Sequence, residues 1–233
     1  MSTLTPELTV GSLVLERPAL SRVFSRHGID YCCGGKQTLA QVCARLGLDP
    51  VMLLAELETE GANEPGPVVD WRLASLAELT AHIVATYHEP LRPELVRLAA
   101  LVDKVARVHG PEHPELVQVA GIFHAFRAEM EPHMDKEEQV LFPLIREIEA
   151  GTAGPRAGMV PMPIHVMESE HESAGQALAS MRELTAGYSL PESACNSYRA
   201  LFSGLAELEG ETHAHVHLEN NVLFPRAIVL ATR

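Results

Sequence analysis

Apolar residues recur at helical spacing along most of the chain. From Trp71 onward the pattern divides into four long segments, at about 75 to 108, 114 to 149, 163 to 187 and 191 to 230. Breaks that carry Gly and Pro, such as HGPEHP and GTAGPRAGMVPMP, separate these segments, and such residues favour turns. Short connections between long helices favour antiparallel neighbours. The pattern therefore predicts an up-down four-helix bundle.

Shorter helical patterns occupy residues 8 to 60, where glycines and a proline interrupt them. The stretch GANEPGPVVD, from 61 to 70, combines Gly, Pro and Asn without periodicity, which is typical of a linker. We therefore predict an all-α protein with two parts. Residues 1–64 form a small helical double-cysteine domain, and residues 65–233 form the antiparallel bundle.

Composition supports the all-α prediction and narrows the choice of partners. Aromatic residues make up only 5% of the chain, and alternating β-branched runs are nearly absent, which argues against a β-sandwich. Eighteen Lys+Arg against 31 Asp+Glu give a formal charge of −13, which repels phosphate backbones and anionic lipids. The N-terminus lacks a signal-peptide pattern, and no apolar run is long enough to span a bilayer. We expect a cytoplasmic protein without nucleic acid or membrane partners.

An internal repeat carries the candidate chemistry. The segment HMDKEEQVLFP, from His133 to Pro143, returns 82 residues later as HVHLENNVLFP, from His215 to Pro225. The pattern H-x-x-x-E-x-x-V-L-F-P thus occurs twice, which chance would rarely produce. The chain therefore contains two similar helical hairpins, and the second helix of each carries a His and a Glu.

The spacing within each repeat suits metal binding. Residues four apart lie on one helix face about one turn apart, so each repeat presents an imidazole and a carboxylate to one point. Upstream, His88 and His171 lie in His-Glu pairs 83 residues apart and add one imidazole from each first helix. Bundles build dinuclear sites from such inward-facing side chains. The predicted metal ligands are His88, His133, Glu137, His171, His215 and Glu219.

A metal would also explain why two glutamates lie in a helical core. Burying an unpaired carboxylate costs on the order of several kcal/mol, and coordination removes that cost. If both glutamates bridge and each ion takes two histidines, each ion has four protein donors, and a bridging oxygen makes five. This leaves one open position for a small ligand. Imidazole and carboxylate donors suit Fe, Mn, Zn or Ni, and the half-symmetric dinuclear design favours iron. Glu129 and Glu170 lie near enough in sequence to orient ring N–H groups or to relay protons.

The small domain carries a second candidate site in the motif DYCCGGK, where Cys32 and Cys33 are adjacent. Adjacent cysteines lack the C-x-x-C spacing of a zinc knuckle. A nearby Lys36 and a helix N-terminus would lower a thiol pKa, which favours redox, nitrosylation or metal hand-off chemistry. The alternative is a pair of buried, inert cysteines. We interpret Cys43 and Cys195 as small buried residues.

Three further features of the sequence bear on the helix geometry. Both repeats end in Leu-Phe-Pro, which we interpret as core packing followed by a proline that ends the helix. Pro132, directly before His133, removes a backbone hydrogen bond and is expected to kink its helix. His109 follows His88 by 21 residues, which is roughly 30 Å along a straight helix, so it is not expected as a ligand unless the helix breaks at Pro90 or Pro93.

The motifs DYCCGGKQTLA, DWR, TYH, HMDKEEQVLFP, ESEHE and HLENNVLFP resemble the RIC proteins, the bacterial "repair of iron centres" family, over nearly the whole chain. The resemblance implies a haemerythrin-like bundle in which the six ligands hold two iron ions as an oxo-bridged di-iron centre. It also implies repair of damaged or apo iron-sulfur proteins by iron supply, nitric oxide or dioxygen as the small ligand, and a homodimer. Glu129 and Glu170 match acidic residues near the family's site, and Cys32 with Cys33 match its paired cysteines.

Three functions remain open on this evidence. The first is an iron donor that repairs clusters under nitrosative or oxidative stress, and the second is an enzyme that reduces nitric oxide to nitrous oxide. The third is a carrier or sensor of dioxygen or nitric oxide. A carrier needs only the bundle, so the paired-cysteine domain argues against it. A reductase needs electrons, for which Cys32 and Cys33 are the obvious internal source.

Overall fold

The computed structural model describes residues 4–61 and 69–232. The secondary structure over these ranges is helical, which confirms the all-α prediction. An isolated β-bridge joins Thr9, before the first helix, to Thr38, before the third. Among the described residues, none of the helices combines the length and the hydropathy of a membrane span.

The small domain is built from short helices around its own core. Thr38 caps the third helix in a capping box with Gln41, and Gly47 ends that helix in the left-handed conformation. The buried core includes Val10, Leu13, Val23, Phe24, Leu39, Val42 and Leu57. The helices are α1 (Val10–Glu16), α2 (Leu20–Arg26), α3 (Leu39–Leu46) and α4 (Pro50–Gly61). The domain boundary that we predict between 64 and 65 lies outside the described residues and stays a prediction.

The four predicted long helices are all present among residues 69–232. The first comprises α5 (Leu76–Ile83), a π-helical segment π1 (Val84–His88) and α6 (Glu89–His109). The second comprises α7 (Glu115–Lys136), π2 (Glu137–Leu141) and α8 (Phe142–Glu149). The third is α9 (Pro161–Leu184), which follows a 3-10 turn (Gly154–Met159). The fourth comprises α10 (Asn196–Leu218), π3 (Glu219–Leu223) and α11 (Phe224–Ala231).

Each π segment ends two residues before a proline, namely Pro90, Pro143 and Pro225. In a regular α-helix the proline ring clashes with the carbonyl four residues earlier, and the missing N–H leaves that carbonyl without a partner. The turn before each proline is wider than an α-helical turn, because Phe142 N–H bonds to Glu137 O and Phe224 N–H bonds to Glu219 O, five residues earlier. The prediction that Leu-Phe-Pro ends each helix is therefore wrong.

The predicted kink at Pro132 takes a different form. Pro132 lies inside the uninterrupted helix α7, and the irregular turn follows five residues later, in π2. The third helix carries no proline after His171 and has no π segment. A proline two residues later is thus common to the three π segments, but a proline alone does not produce one, because Pro132 lies inside regular α-helix.

Two apolar clusters fill the bundle, and on each long helix they lie on opposite sides of the turn that carries the predicted ligands. One cluster includes Leu95, Leu98, Phe123, Leu178 and Leu205. The other includes Leu79, Ile83, Ile145, Ile164 and Phe224. A polar layer between two such cores is shielded from water on both sides.

The small domain packs on the bundle through the loop that carries its cysteines. His217 Nδ1 lies 3.1 Å from the carbonyl oxygen of Tyr31, and Asn221 Nδ2 donates to the carbonyl of Cys32 at 3.0 Å. Gly11 and Gly35 pack so closely that a Cβ on either would collide with the Asn221 side chain. These contacts hold the cysteine loop beside π3.

Candidate metal centre

The structure brings the six predicted ligands together in the polar layer of the bundle. The side chains come from all four long helices, and each residue is at most 2% exposed. π2 and π3 begin at the two glutamates, and π1 ends at the first histidine. The six residues are His88, His133, Glu137, His171, His215 and Glu219.

The first of two donor sets contains His88 and His215, whose Nε2 atoms are 3.1 Å apart. Glu137 Oε2 lies 3.4 Å from His88 Nε2 and 4.0 Å from His215 Nε2. Glu219 Oε1 lies 3.1 Å from His215 Nε2. All four ligand atoms lie within 4.8 Å of one another.

The second donor set contains His133 and His171, whose Nε2 atoms are also 3.1 Å apart. Glu137 Oε2 is 3.4 Å from His133 Nε2, and Glu219 Oε2 is 3.1 Å from His171 Nε2. Both glutamates therefore belong to both sets. Two neighbouring cations could be held here by two histidines each and by the two shared glutamates.

Each set draws one histidine from each half of the internal repeat. His88 from the first half pairs with His215 from the second, and His133 pairs with His171 in the same crossed way. The repeat predicts which residues converge. The crossed pairing depends on how the hairpins pack, which spacing along the chain does not contain.

The electrostatics of the layer fit a bound cation. Both oxygens of Glu137 and Oε2 of Glu219 are buried without a hydrogen-bond partner among the described residues. Burial and the neighbouring Glu219 raise the pKa of Glu137 well above its ordinary value. Burial also raises the pKa of Glu219, but His215 and His171 outweigh it and leave that pKa well below its ordinary value. A divalent ion would balance these carboxylates.

Two of the four histidines, His88 and His133, have lowered pKa values that favour the neutral imidazole required for ligation. Burial, helped by the neighbouring imidazole, lowers the pKa of His88 and of His133 to about 4. Neutral imidazole and carboxylate donors suit divalent iron and its first-row neighbours. The residues present therefore fit a pair of such ions.

Two acidic residues lie behind the histidines. Glu138 Oε1 is 3.0 Å from His88 Nδ1 and accepts a hydrogen bond from Arg92. Glu170 Oε2 is 2.9 Å from His133 Nδ1, and its other oxygen pairs with Lys136. Partial burial raises the pKa of Glu170, but Lys136 and His133 lower it below its ordinary value overall. Such partners fix the tautomer and orientation of a ligand imidazole.

The other two histidines differ from each other. Asn220 Oδ1 lies 2.9 Å from His171 Nδ1. His215 Nδ1 has no hydrogen-bond partner among the described residues, and Tyr87 stacks on its ring at 5.6 Å. In the internal repeat, Asn220 is the counterpart of Glu138, 82 residues earlier, and Glu170 is the counterpart of Tyr87, 83 residues earlier. Our sequence analysis missed Glu138 and Asn220, although both directly follow the glutamate of their repeat.

Glu129 and Glu170, the two predicted acidic residues, have different locations. Glu170 contacts the centre through His133. Glu129 lies on an exposed face of α7, one turn before His133, and joins neither donor set. His109 ends α6, with its Nε2 3.3 Å from Cys195 Sγ, and joins neither donor set.

The predicted thiol pair lies beside the centre. Cys32 is buried and Cys33 partly exposed, and their Sγ atoms are 3.8 Å apart. The expected lowering of a thiol pKa by Lys36 is wrong for Cys32, because its contact with Cys33 and its burial raise that pKa. Cys43 is buried as predicted, but Cys195 is exposed. Hydrogen bonding to the Tyr198 N–H and to His109 lowers the pKa of Cys195 to about 7.

Two family models match the chain. Residues 79–227 match the hemerythrin HHE cation binding domain, and residues 6–60 match ScdA_N, a domain of unknown function (DUF542). Similar relatives include the "Iron-sulfur cluster repair protein YtfE" of Yersinia pseudotuberculosis serotype IB (strain PB1/+) and that of Yersinia pestis (strain Pestoides F). Each is 39% identical over 220 residues, which cover 94% of this chain and 96% of the relative. The chain therefore belongs to the RIC family of iron-sulfur cluster repair proteins, with a hemerythrin-type cation-binding domain as its bundle.

Proposed function

We propose that this protein repairs iron-sulfur clusters damaged by nitrosative or oxidative stress, and that it does so by donating iron from a two-ion centre. The printed name of the relatives supports the repair role, and the cation-binding family model supports the metal. The proposed clients are damaged or apo iron-sulfur proteins. The proposed ligands of the two ions are His88, His133, Glu137, His171, His215 and Glu219.

The observation that carries this proposal is the pair of buried donor sets that share Glu137 and Glu219. When bound, iron supplies an exchangeable metal with an open coordination position for a small ligand. The protein supplies two imidazoles for each ion and excludes bulk water from the layer. Glu138, Glu170 and Asn220 hold three of the imidazoles in the orientation that presents Nε2 to an ion.

The test begins with metal content. Protein purified without oxygen should contain about two irons per chain, as measured by elemental analysis and by EPR before and after nitric oxide. The loaded chain should then restore the cluster absorbance of an apo iron-sulfur protein. Glu219→Gln should lose iron and repair activity, whereas Glu129→Gln, on an exposed face of α7, should keep both. A single zinc, or no metal, would exclude the proposal.

One observation favours nitric oxide reduction as a second candidate. Asn220 contacts both the thiol pair and the centre, because its Nδ2 lies 3.8 Å from Cys33 Sγ and its Oδ1 lies 2.9 Å from His171 Nδ1. Two thiols that form a disulfide release two electrons and two protons, which convert two nitric oxide molecules into nitrous oxide and water. Cys32 and Cys33 would supply both.

This second candidate is tested by counting thiols. Without an external reductant, two thiols should be lost for each nitrous oxide formed, and the Cys32→Ala/Cys33→Ala variant should form less product. Cys195→Ala is the control, because Cys195 lies beside His109 and not at the centre. Nitrous oxide formed with all thiols intact would exclude the cysteines as the electron source.

A further inference from the structure

A third group of potential ligand atoms lies outside the bundle, in the cysteine loop of the small domain. The Asp30 carboxylate and the thiols of Cys32 and Cys33 bring one ligand atom each to within 4.8 Å of one another. We propose that these residues form a separate site for a single thiophilic divalent cation. Building on the proposed function, we infer that this site is where iron passes between the protein and its client.

The separation of the two sulfurs fits chelation. The Sγ atoms of Cys32 and Cys33 are 3.8 Å apart, far from the ~2.05 Å of a disulfide bond. A tetrahedral ion with metal–sulfur bonds of about 2.3 Å holds two thiolates about 3.8 Å apart. The two thiols can therefore bind one ion with little movement. As the two metal–sulfur bonds form, each thiol releases its proton to solvent.

The third donor is held in place by the loop backbone. Asp30 Oδ1 lies 3.1 Å from Cys32 Sγ and accepts the backbone N–H groups of Cys32 at 3.0 Å and Cys33 at 2.9 Å. Asp30 Oδ2 accepts the N–H of Gly34 at 2.9 Å. A Cβ on Gly34 would lie 2.7 Å from the Asp30 carbonyl oxygen. The tight loop thus depends on glycine, and it orders the donors before an ion arrives.

The site opens onto a cleft between the cysteine loop and the bundle. This cleft has a volume of about 340 Å³, and its lining includes Glu168 and Glu172 from α9 and Lys36 from the loop. Cys33 is partly exposed there. The two glutamates place negative charge opposite the thiols, which favours a cation and offers an oxygen for its remaining position.

One residue of the cleft wall contacts a ligand of the two-ion centre. Asn220 lines it and contacts both Cys33 Sγ and His171 Nδ1, and its neighbour in sequence is the shared ligand Glu219. A single asparagine thus separates the thiol site from a ligand of the centre. The thiol site is therefore placed to act as an intermediate binding site for iron that moves between the buried centre and the surface.

The site is tested by titrating the reduced, metal-free, full-length chain with Co²⁺, because thiolate ligation gives cobalt a charge-transfer absorption that imidazole and carboxylate do not give. We expect three Co²⁺ per chain and a thiolate band that saturates at one equivalent. The Cys32→Ser/Cys33→Ser variant should bind two and lose the band. Cys195→Ser should bind three and keep it.

Further variants separate the proposal from a folding defect and from the proposed function. Cys33→Ser changes only the partly exposed thiol and should weaken the band while the circular dichroism stays unchanged. No band in the wild type, or a full band in the double variant, would overturn the site. Normal cluster repair by the double variant would overturn its role in transfer. A normal band in a wild-type chain that repairs no cluster would refute the proposed function and leave the site intact.

Discussion

Single residues make the two halves of the centre unequal. His88, His133 and His171 each have an oxygen within hydrogen-bond distance of Nδ1, whereas His215 Nδ1 has none among the described residues. A ligand imidazole is a stronger and better oriented donor when its other nitrogen is hydrogen-bonded. The ion held by His88 and His215 should therefore be the weaker bound of the two.

This inequality predicts that a chelator whose Fe²⁺ complex is coloured removes the iron in two phases. The ion at His88 and His215 should leave in the first phase. Glu170→Leu removes the acceptor at His133 Nδ1, so the slow phase should accelerate by about 10- to 100-fold. Glu129→Leu is the matched control on an exposed face of α7 and should alter neither phase. A single phase in the wild type would contradict the inequality.

A second prediction at this scale concerns the bridging carboxylate Glu137. Its two oxygens are buried without donors and face Glu219, so the metal-free layer is electrostatically unfavourable. Glu137→Gln should abolish binding of the ion pair yet stabilise the metal-free chain by on the order of 1 kcal/mol. Urea unfolding of both metal-free proteins gives the difference. Glu129→Gln should change stability by less than about 0.5 kcal/mol, and a destabilised Glu137→Gln would refute this account.

At the scale of whole elements, the π segments set the register between the ligand-bearing helices α7 and α10 and the helices that follow them, α8 and α11. π2 and π3 begin at Glu137 and Glu219 and precede Pro143 and Pro225 by the same two residues. One extra residue in a turn rotates everything beyond it by about 100° relative to a continuous α-helix. The repeated Leu-Phe-Pro therefore marks a change of register just after the site, and it does not end the helix.

We predict that Pro225→Ala lets α10 and α11 join in α-helical register and lowers iron content, while far-UV circular dichroism changes little. Pro132→Ala is the matched control, because Pro132 lies in α7 without a π segment. It should keep its iron and gain stability of about 1 to 3 kcal/mol from the restored backbone bond. Iron retained by Pro225→Ala and lost by Pro132→Ala would contradict the role of the π segments.

At the scale of the whole molecule, the small domain covers one side of the centre. Tyr31 packs edge-on against His213 and His217, and Asn221 binds the carbonyl of Cys32. The cysteine loop is therefore held against the bundle by backbone contacts that tolerate no added side chain at Gly35.

Gly35→Ala should loosen this interface and expose Cys32. In a Cys195→Ser background, thiol labelling followed by peptide mass spectrometry should show Cys32 reacting at least about tenfold faster, since about 1.4 kcal/mol of lost docking energy gives that factor. Gly121→Ala is the control, because a Cβ there meets nothing within 4 Å. An unchanged labelling rate at Cys32 would show that Gly35 does not control docking.

The sequence by itself determined the helical elements, because apolar spacing and Gly/Pro breaks are local properties of the chain. The H-x-x-x-E repeat and the two upstream His-Glu pairs identified the six candidate ligands, and the motifs indicated the family. Spacing along an unbroken helix also placed His109 too far from His88 to be a ligand. The same kind of reasoning wrongly ended two helices at Leu-Phe-Pro, because it treats a proline as the end of a helix. In the folded protein the helix continues past each of these prolines through a wider turn.

Only the tertiary structure decided which histidines share an ion, which second partner each imidazole has, and where the cysteine loop lies. These properties depend on contacts between residues far apart in sequence, such as His88 with His215 and Asn220 with Cys33. Their energies arise only after the helices have packed, because a polar group is forced to find a partner once water has been excluded. Sequence periodicity records which face is buried, but it does not record which neighbour that face meets.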